Sequence, residues 1–128
     1  MKKLNIIGSG RVGRTLASLW EEKRTFAIQD VLDQTPHGAR AAIAFIGDGR
    51  AVGWLEEMRP AEVWMLTPPD GKIILCCEAL AASGLLRSGD IVFHCSGALA
   101  SAELKSAAAC GALVASVHPL KSFADPRD

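Results

Sequence analysis

Residues 4–20, LNIIGSGRVGRTLASLW, constrain this chain more than any other stretch. A short, mostly apolar run at 4–7 is cut off by Gly8, Gly10 and Gly13. Beyond Gly10, Val12, Leu16, Leu19 and Trp20 recur at i, i+4, i+7 and i+8. The first pattern is a strand and the last is one face of a helix. A strand that turns through glycines straight into a helix starts a crossover, and the strand that follows lies parallel to it.

The rest of the chain repeats this alternation. Runs at 26–32, 63–66, 91–95 and 113–117 read as strands, and several are apolar at consecutive positions, as in strands covered on both faces. Asp70 stands where it would cap a helix with the buried stripe Ile73, Ile74, Cys77, Leu80 and Ala81, stopped near Gly84. A further helix is expected from its cap Ser101 through Leu104 and Ala108 to Gly111. In the segment 35–59 the pattern suggests a helix over 38–45 and a short one over 54–58, separated by the turn Gly47-Asp48-Gly49. The expected fold is α/β: a doubly wound, mostly parallel sheet of about five strands with helices on both faces.

At 128 residues the chain is expected to form one domain, covering 1–128. Acidic and basic residues balance to a net charge of zero, which argues against electrostatic binding of nucleic acid. The charge of Met1-Lys2-Lys3 is followed by too short an apolar run for a secretory signal, and no stretch approaches the roughly 20 apolar residues of a membrane span. A cytoplasmic protein with neither nucleic-acid nor membrane partners is expected. Cys76, Cys77, Cys95 and Cys110 form no Cys-x-x-Cys or zinc-type spacing, so they read as reduced, mostly packed thiols. No cluster has metal-ligand spacing.

Gly8, Gly10 and Gly13 fit G-x-G-x-x-G in the required context, after a strand and opening a helix. Gly8 permits the tight turn, Gly10 lets a pyrophosphate approach the backbone, and Gly13 lets helix and strand pack closely. The loop Gly8, Ser9, Gly10, Arg11, Val12, Gly13 is therefore a candidate dinucleotide cradle, with free N–H groups at the helix N-terminus. Arg11, the first helical residue, is placed to contact a phosphate oxygen. An acid about 20 residues further on is needed for the adenosine ribose; Asp33 meets that spacing, whereas Asp30 precedes the apolar pair Val31-Leu32 and falls within the strand. A carboxylate at Asp33 repels a 2′-phosphate and favours NAD over NADP, although Gln34 and Arg40 leave NADP open. S-adenosylmethionine methyltransferases also combine a glycine loop with an acid ending the second strand; a helix directly after a full G-x-G-x-x-G suits a pyrophosphate better.

GSGRVGRTLA, TPPD, HCSGALAS and VHPLKSF, in this order, resemble a bacterial family of Rossmann-like oxidoreductases described as deazaflavin-dependent NADP oxidoreductase-like. That family is related to 6-phosphogluconate dehydrogenase-like enzymes, and some members resemble ketopantoate reductases. The resemblance implies a nicotinamide dinucleotide, NAD or NADP, and hydride transfer with a small oxo or hydroxy compound. It implies that Thr67, Pro68 and Pro69 line the ribose and nicotinamide side, that Ser96 and Gly97 face the nicotinamide, and that His118 and Pro119 edge the substrate crevice. It further implies a C-terminal helical domain for substrate and dimer, which has no counterpart within 1–128, and a homodimer among the expected partners. A non-catalytic nucleotide-binding or sensing module is the competing reading.

Among the remaining residues, His118 is a candidate proton donor to a substrate carbonyl or else a strand-end cap. Ser96 is a candidate hydrogen-bond partner of the carboxamide or a simple turn residue. Cys95 is expected to point into the sheet, His94 to be a satisfied core residue, and His37 to be solvated. Lys121 is a candidate to attract an acidic substrate or else an exposed lysine with no specific role.

Overall fold

The structure is a computed structural model and describes residues 1–96 and 104–117. Its elements run β1 (Lys3–Ile7), α1 (Arg11–Lys23), β2 (Ala27–Leu32), α2 (Pro36–Ile46), β3 (Arg50–Val52), β4 (Val63–Leu66), α3 (Ile73–Ala82), β5 (Ile91–His94), α4 (Lys105–Ala109) and β6 (Leu113–Ser116). The six strands form one sheet in the order β3-β2-β1-β4-β5-β6. Every neighbouring pair is parallel. The chain winds outward from β1 to β3, returns to β4, and winds outward again, so the direction switches between β1 and β4. Ligands of such sheets bind beyond the carboxyl ends of the strands at that switch.

The doubly wound fold is as expected, with one strand more. The extra strand, β3, has three residues of which only Val52 is buried, too few to carry a periodic signal. It follows directly on the expected turn at 47–49.

The consecutive apolar residues of the strands divide between two layers. Leu4, Ile6, Val63, Met65 and Phe93 meet Leu16 and Ala17 of α1 and Ala42 and Ile46 of α2. Ile7, Trp64, Leu66 and Val92 meet Ile73, Cys77 and Leu80 of α3 and Ala107 of α4. Each central strand is therefore apolar on both faces.

Between β1 and β2 the register slips by one residue: Leu4 pairs with Ile28, but Ile6 pairs with Val31. The extra residue explains how Ile28 and Val31, three apart, both reach the α1–α2 layer. Asn5, fully buried, fills the irregularity: its Oδ1 accepts the Asp30 main-chain N–H at 3.1 Å and the Gln29 side-chain amide at 3.0 Å, and its Nδ2 donates to the Arg59 carbonyl at 2.6 Å.

Three helical expectations change. Asp70 caps nothing; it starts a 3-10 turn, Asp70–Lys72, and α3 begins after it without a side-chain cap. Ile73, Cys77 and Leu80 are the buried face of α3, whereas Ile74 is exposed. The short helix expected at 54–58 is a single 3-10 turn, Leu55–Glu57. The expected cap Ser101 lies outside the described residues. Among the described residues, no helix is long and apolar enough to cross a membrane.

Candidate functional site

The loop between β1 and α1 is held from both sides. Gly8 has φ +83°, a conformation that side chains rarely adopt, and its N–H donates to Leu32 O at the end of β2, 2.7 Å away. Its carbonyl accepts the Thr67 hydroxyl at 2.6 Å, just past β4. A Cβ on Gly8 would strike the Pro68 main chain, and one on Gly13 would strike the Thr67 side chain. Gly10 donates to Thr67 O at 3.3 Å, and a Cβ there would lie 3.1 Å from that oxygen. All three glycines thus answer to the same two residues, Thr67 and Pro68, across the switch point. The close helix–strand approach expected of Gly13 is present, and the tight turn of Gly8 is dictated by the exits of β2 and β4.

Gly10 is the N-cap of α1 and gives that 13-residue helix no side-chain cap; its first turn carries no acidic residue. The N–H groups of that turn have no intrahelical acceptor, and the helix dipole adds partial positive charge. Arg11, exposed, stands at this end. The neighbouring Ser9 N–H donates to Asp33 Oδ1 at 3.2 Å, and the Ser9 carbonyl accepts Arg14 Nε and Nη2 at 3.2 and 3.1 Å. Ser9 Oγ, by contrast, is buried and has no hydrogen-bond partner among the described residues. A buried hydroxyl without a partner is uncommon.

Two cavities flank the loop. The larger, about 410 Å³, is lined by Gly8, Asp33, Gln34, Trp54, Pro68 and Lys72, among others. The smaller, about 190 Å³, is lined by Gly10, Arg11, Val12, Gly13, Thr67, Pro68 and Ser96, together with Cys95. Pro68 is the wall between them. Asp33 follows directly on β2, as the spacing required, and Asp30 lies inside it, fully buried.

Of the residues nominated from sequence, Ser9 lines neither cavity; it holds the loop instead. Pro69 is exposed and also lines neither, because it opens the 3-10 turn that leads away into α3. Gly97 and His118 lie outside the described residues, as do Pro119 and Lys121. Cys95 packs against the α1–α2 layer, as expected, and, partly exposed, also lines the smaller cavity beside Ser96. Burial pushes its thiol up to about 11, so the side chain is neutral at physiological pH. His94 is a core residue as expected, with no exposure; its Nδ1 accepts the Ser96 main-chain N–H at 3.1 Å.

Sequence reading missed two residues here. Trp54 is 68% exposed on the loop after β3 and borders the larger cavity, as Asp33 does. Its signal was an aromatic residue in a Gly-Asp-Gly-rich, otherwise polar segment, which the unrecognised β3 obscured. Arg14 was passed over for Arg11, because only the folded loop reveals that its guanidinium grips the Ser9 carbonyl and lies 5.9 Å from the Phe45 ring centroid. Among the described residues no group of three or more His, Cys, Asp or Glu is arranged to hold a metal ion.

A doubly wound parallel sheet with a glycine turn and an uncapped helix N-terminus at its switch point defines the class of nucleotide-fold α/β domains. Within that class, the Rossmann-like domain family matches residues 1–119, and the chain belongs to it. No curated protein sequence matches the chain. Among solved structures, it resembles a proposed NADP oxidoreductase from Bacteroides fragilis (16% identity, TM-score 0.68, covering 91% of this chain and 61% of that one). It also resembles the arogenate dehydrogenase of Synechocystis (20% identity, TM-score 0.67, 84% and 37%). A third is the WlbA dehydrogenase of Bordetella pertussis in complex with NADH and UDP-GlcNAcA (17%, TM-score 0.69, 90% and 36%). The chain therefore spans between about a third and three fifths of the length of these structures. At such identities the likeness is one of fold.

Proposed function

We propose that this chain is the nicotinamide-dinucleotide-binding domain of an oxidoreductase acting on a small oxo or hydroxy compound. The observation that carries the reading is the uncapped N-terminus of α1, set at the switch point between two cavities that share Pro68 as a wall. In this reading the first-turn N–H groups of α1 and Arg11 take the pyrophosphate. Asp33 takes the adenosine ribose hydroxyls in the larger cavity, where Trp54 covers the base and Gln34 borders the ribose. Gly10, Thr67, Pro68 and Ser96 line the smaller cavity, which receives the nicotinamide half. The family resemblance assigns Gly97 to the nicotinamide and His118 to the substrate. When bound, the nicotinamide supplies or accepts the hydride, and the protein supplies binding and orientation. The Rossmann-like family and the dehydrogenases among its structural relatives support the reading. A place among the deazaflavin-dependent, 6-phosphogluconate dehydrogenase-like enzymes, a homodimer, and a substrate domain contributed by sequence beyond 1–128 belong to the same proposal.

NAD is the preferred cofactor because Asp33, already turned towards the loop by Ser9 N–H, would repel a 2′-phosphate. The test is a titration of the 128-residue chain with NADH, NADPH and S-adenosylmethionine, followed by tryptophan fluorescence and melting temperature. NADH is expected to quench Trp54 and, at about 100 times its Kd, to add about 2.7 kcal/mol of stability. Asp33→Arg is expected to move the preference towards NADPH. A response to S-adenosylmethionine and to neither nicotinamide cofactor would sink the proposal. Binding without turnover is expected of this domain by itself; binding without turnover of any 2-oxo acid by the chain together with its substrate domain would favour the sensing module.

A further inference from the structure

We propose that His94 is a positioning residue for the nicotinamide half of the site, acting through Ser96. This rests on the reading of the smaller cavity given above.

His94 is the last residue of β5, at the carboxyl edge of the sheet between β4 and the outer strand β6. It is paired with Leu66 of β4 on one side and Ser116 of β6 on the other. Its carbonyl accepts the Val117 N–H at 2.8 Å, which fixes the exit of β6. Its imidazole Nδ1 accepts the Ser96 N–H at 3.1 Å, which fixes the exit of β5. One residue thus ties down two neighbouring strand exits, and the exit of β4, Leu66 to Thr67, adjoins it. The ring has no exposure and does not line either cavity, whereas Ser96, two residues on, lines the smaller one. Among the described residues, His94 therefore acts on a ligand through Ser96.

The chemistry is specific. Nδ1 accepts, so it carries no proton, and the imidazole proton of the neutral ring sits on Nε2. A side-chain acceptor that captures the main-chain N–H two residues ahead is the local turn that Asn and Asp make with their carbonyl oxygen. Asparagine at position 94 supplies the same acceptor, and phenylalanine fills the space without one. With the bond, the strand leaves β5 in one direction and Ser96 meets the cavity in one orientation. Without it, the Ser96 N–H must turn to another acceptor, and the wall of the nicotinamide pocket turns with it.

The test compares wild type, His94→Phe and His94→Asn, each titrated with NADH and with AMP, which probes the adenosine half alone. His94→Phe is expected to weaken NADH by about three- to tenfold, the scale of one hydrogen bond, and to leave AMP unchanged. His94→Asn is expected to restore most of the NADH affinity. Equal losses for NADH and AMP, unchanged NADH binding in His94→Phe, or no rescue by His94→Asn would each overturn the proposal. Should His94→Phe not fold, nitrogen NMR of the wild-type protein decides: an unprotonated Nδ1 and a Ser96 amide that shifts with NADH but not with AMP are expected. A protonated Nδ1, or a Ser96 amide that NADH leaves in place, would overturn it. Failure of wild type to bind NADH at all would instead sink the dinucleotide reading.

Discussion

Asp30 and Asp33 are three residues apart, and folding gives them opposite tasks. Asp33 leaves the strand and turns to the loop, whereas Asp30 is sealed within the sheet and held by two arginines. Arg50 Nε and Arg59 Nη2 lie 3.0 and 2.8 Å from its Oδ1, and the Arg59 N–H is 2.8 Å from Oδ2. Burial alone pushes the Asp30 carboxyl up; the hydrogen bonds from Arg59 and Arg50 more than reverse this and hold it below its ordinary value. A group lowered in the folded state contributes stability that is present above its unfolded value, about 3.9, and is lost as pH falls through the folded one. Asp30→Asn should therefore cost about 1–3 kcal/mol near neutral pH, less than for a fully buried pair, because both arginines are half exposed and regain water. The gap between wild type and variant should narrow below about pH 4, as urea or thermal unfolding across the pH range would show. A gap that stays constant into acid would refute the ion-pair account. The sequence placed Asp30 inside the strand but carried no sign of its partners, since Arg50 and Arg59 are 20 and 29 residues away.

At the level of elements, legibility followed the strength of the local pattern. Five strands and the first helix announced themselves by apolar runs and period, and the glycine spacing placed the loop and Asp33. β3 did not, because three residues at a sheet edge have no periodicity to read. Nor did the slip in β2, which only the partner strand reveals. The buried face of α3 was read as Ile73, Cys77 and Leu80 but drawn too wide, with Ile74 included, because IILCCEALAA is apolar nearly all round and period alone cannot say where the buried stripe ends. The structure makes the choice: Leu80 is fully buried against the sheet, whereas Leu75 is 59% exposed. Leu80→Ala should cost about 2–5 kcal/mol and Leu75→Ala less than about 0.5 kcal/mol, measured by denaturant unfolding. Comparable losses at the two positions would mean that the exposed side of α3 is covered in solution.

At the scale of the whole molecule, the arrangement of the halves bears on how tightly a dinucleotide is held. The larger cavity takes its walls chiefly from the exits of β1, β2 and β3, and the smaller from the α1 N-terminus and the exits of β4 and β5. Pro68 and the uncapped start of α1 lie between, where a pyrophosphate would join two nucleosides. A ligand that fills both cavities binds its second half at the high effective concentration set by a short linker. AMP or nicotinamide mononucleotide binds without that advantage. NADH should therefore raise the melting temperature by more than the two mononucleotides together at the same concentration. If its Kd is about a hundredfold lower, the difference is worth about 2.7 kcal/mol, or roughly 10 °C for a domain of this size. Hydrogen exchange should show the same asymmetry: AMP should protect the exits of β2 and β3 alone, and NADH should extend protection to Val12, Thr67 and Ser96. If AMP alone reproduced the whole thermal shift, the adenosine half would be carrying the affinity, and the smaller cavity would have to be reassigned to a separate ligand.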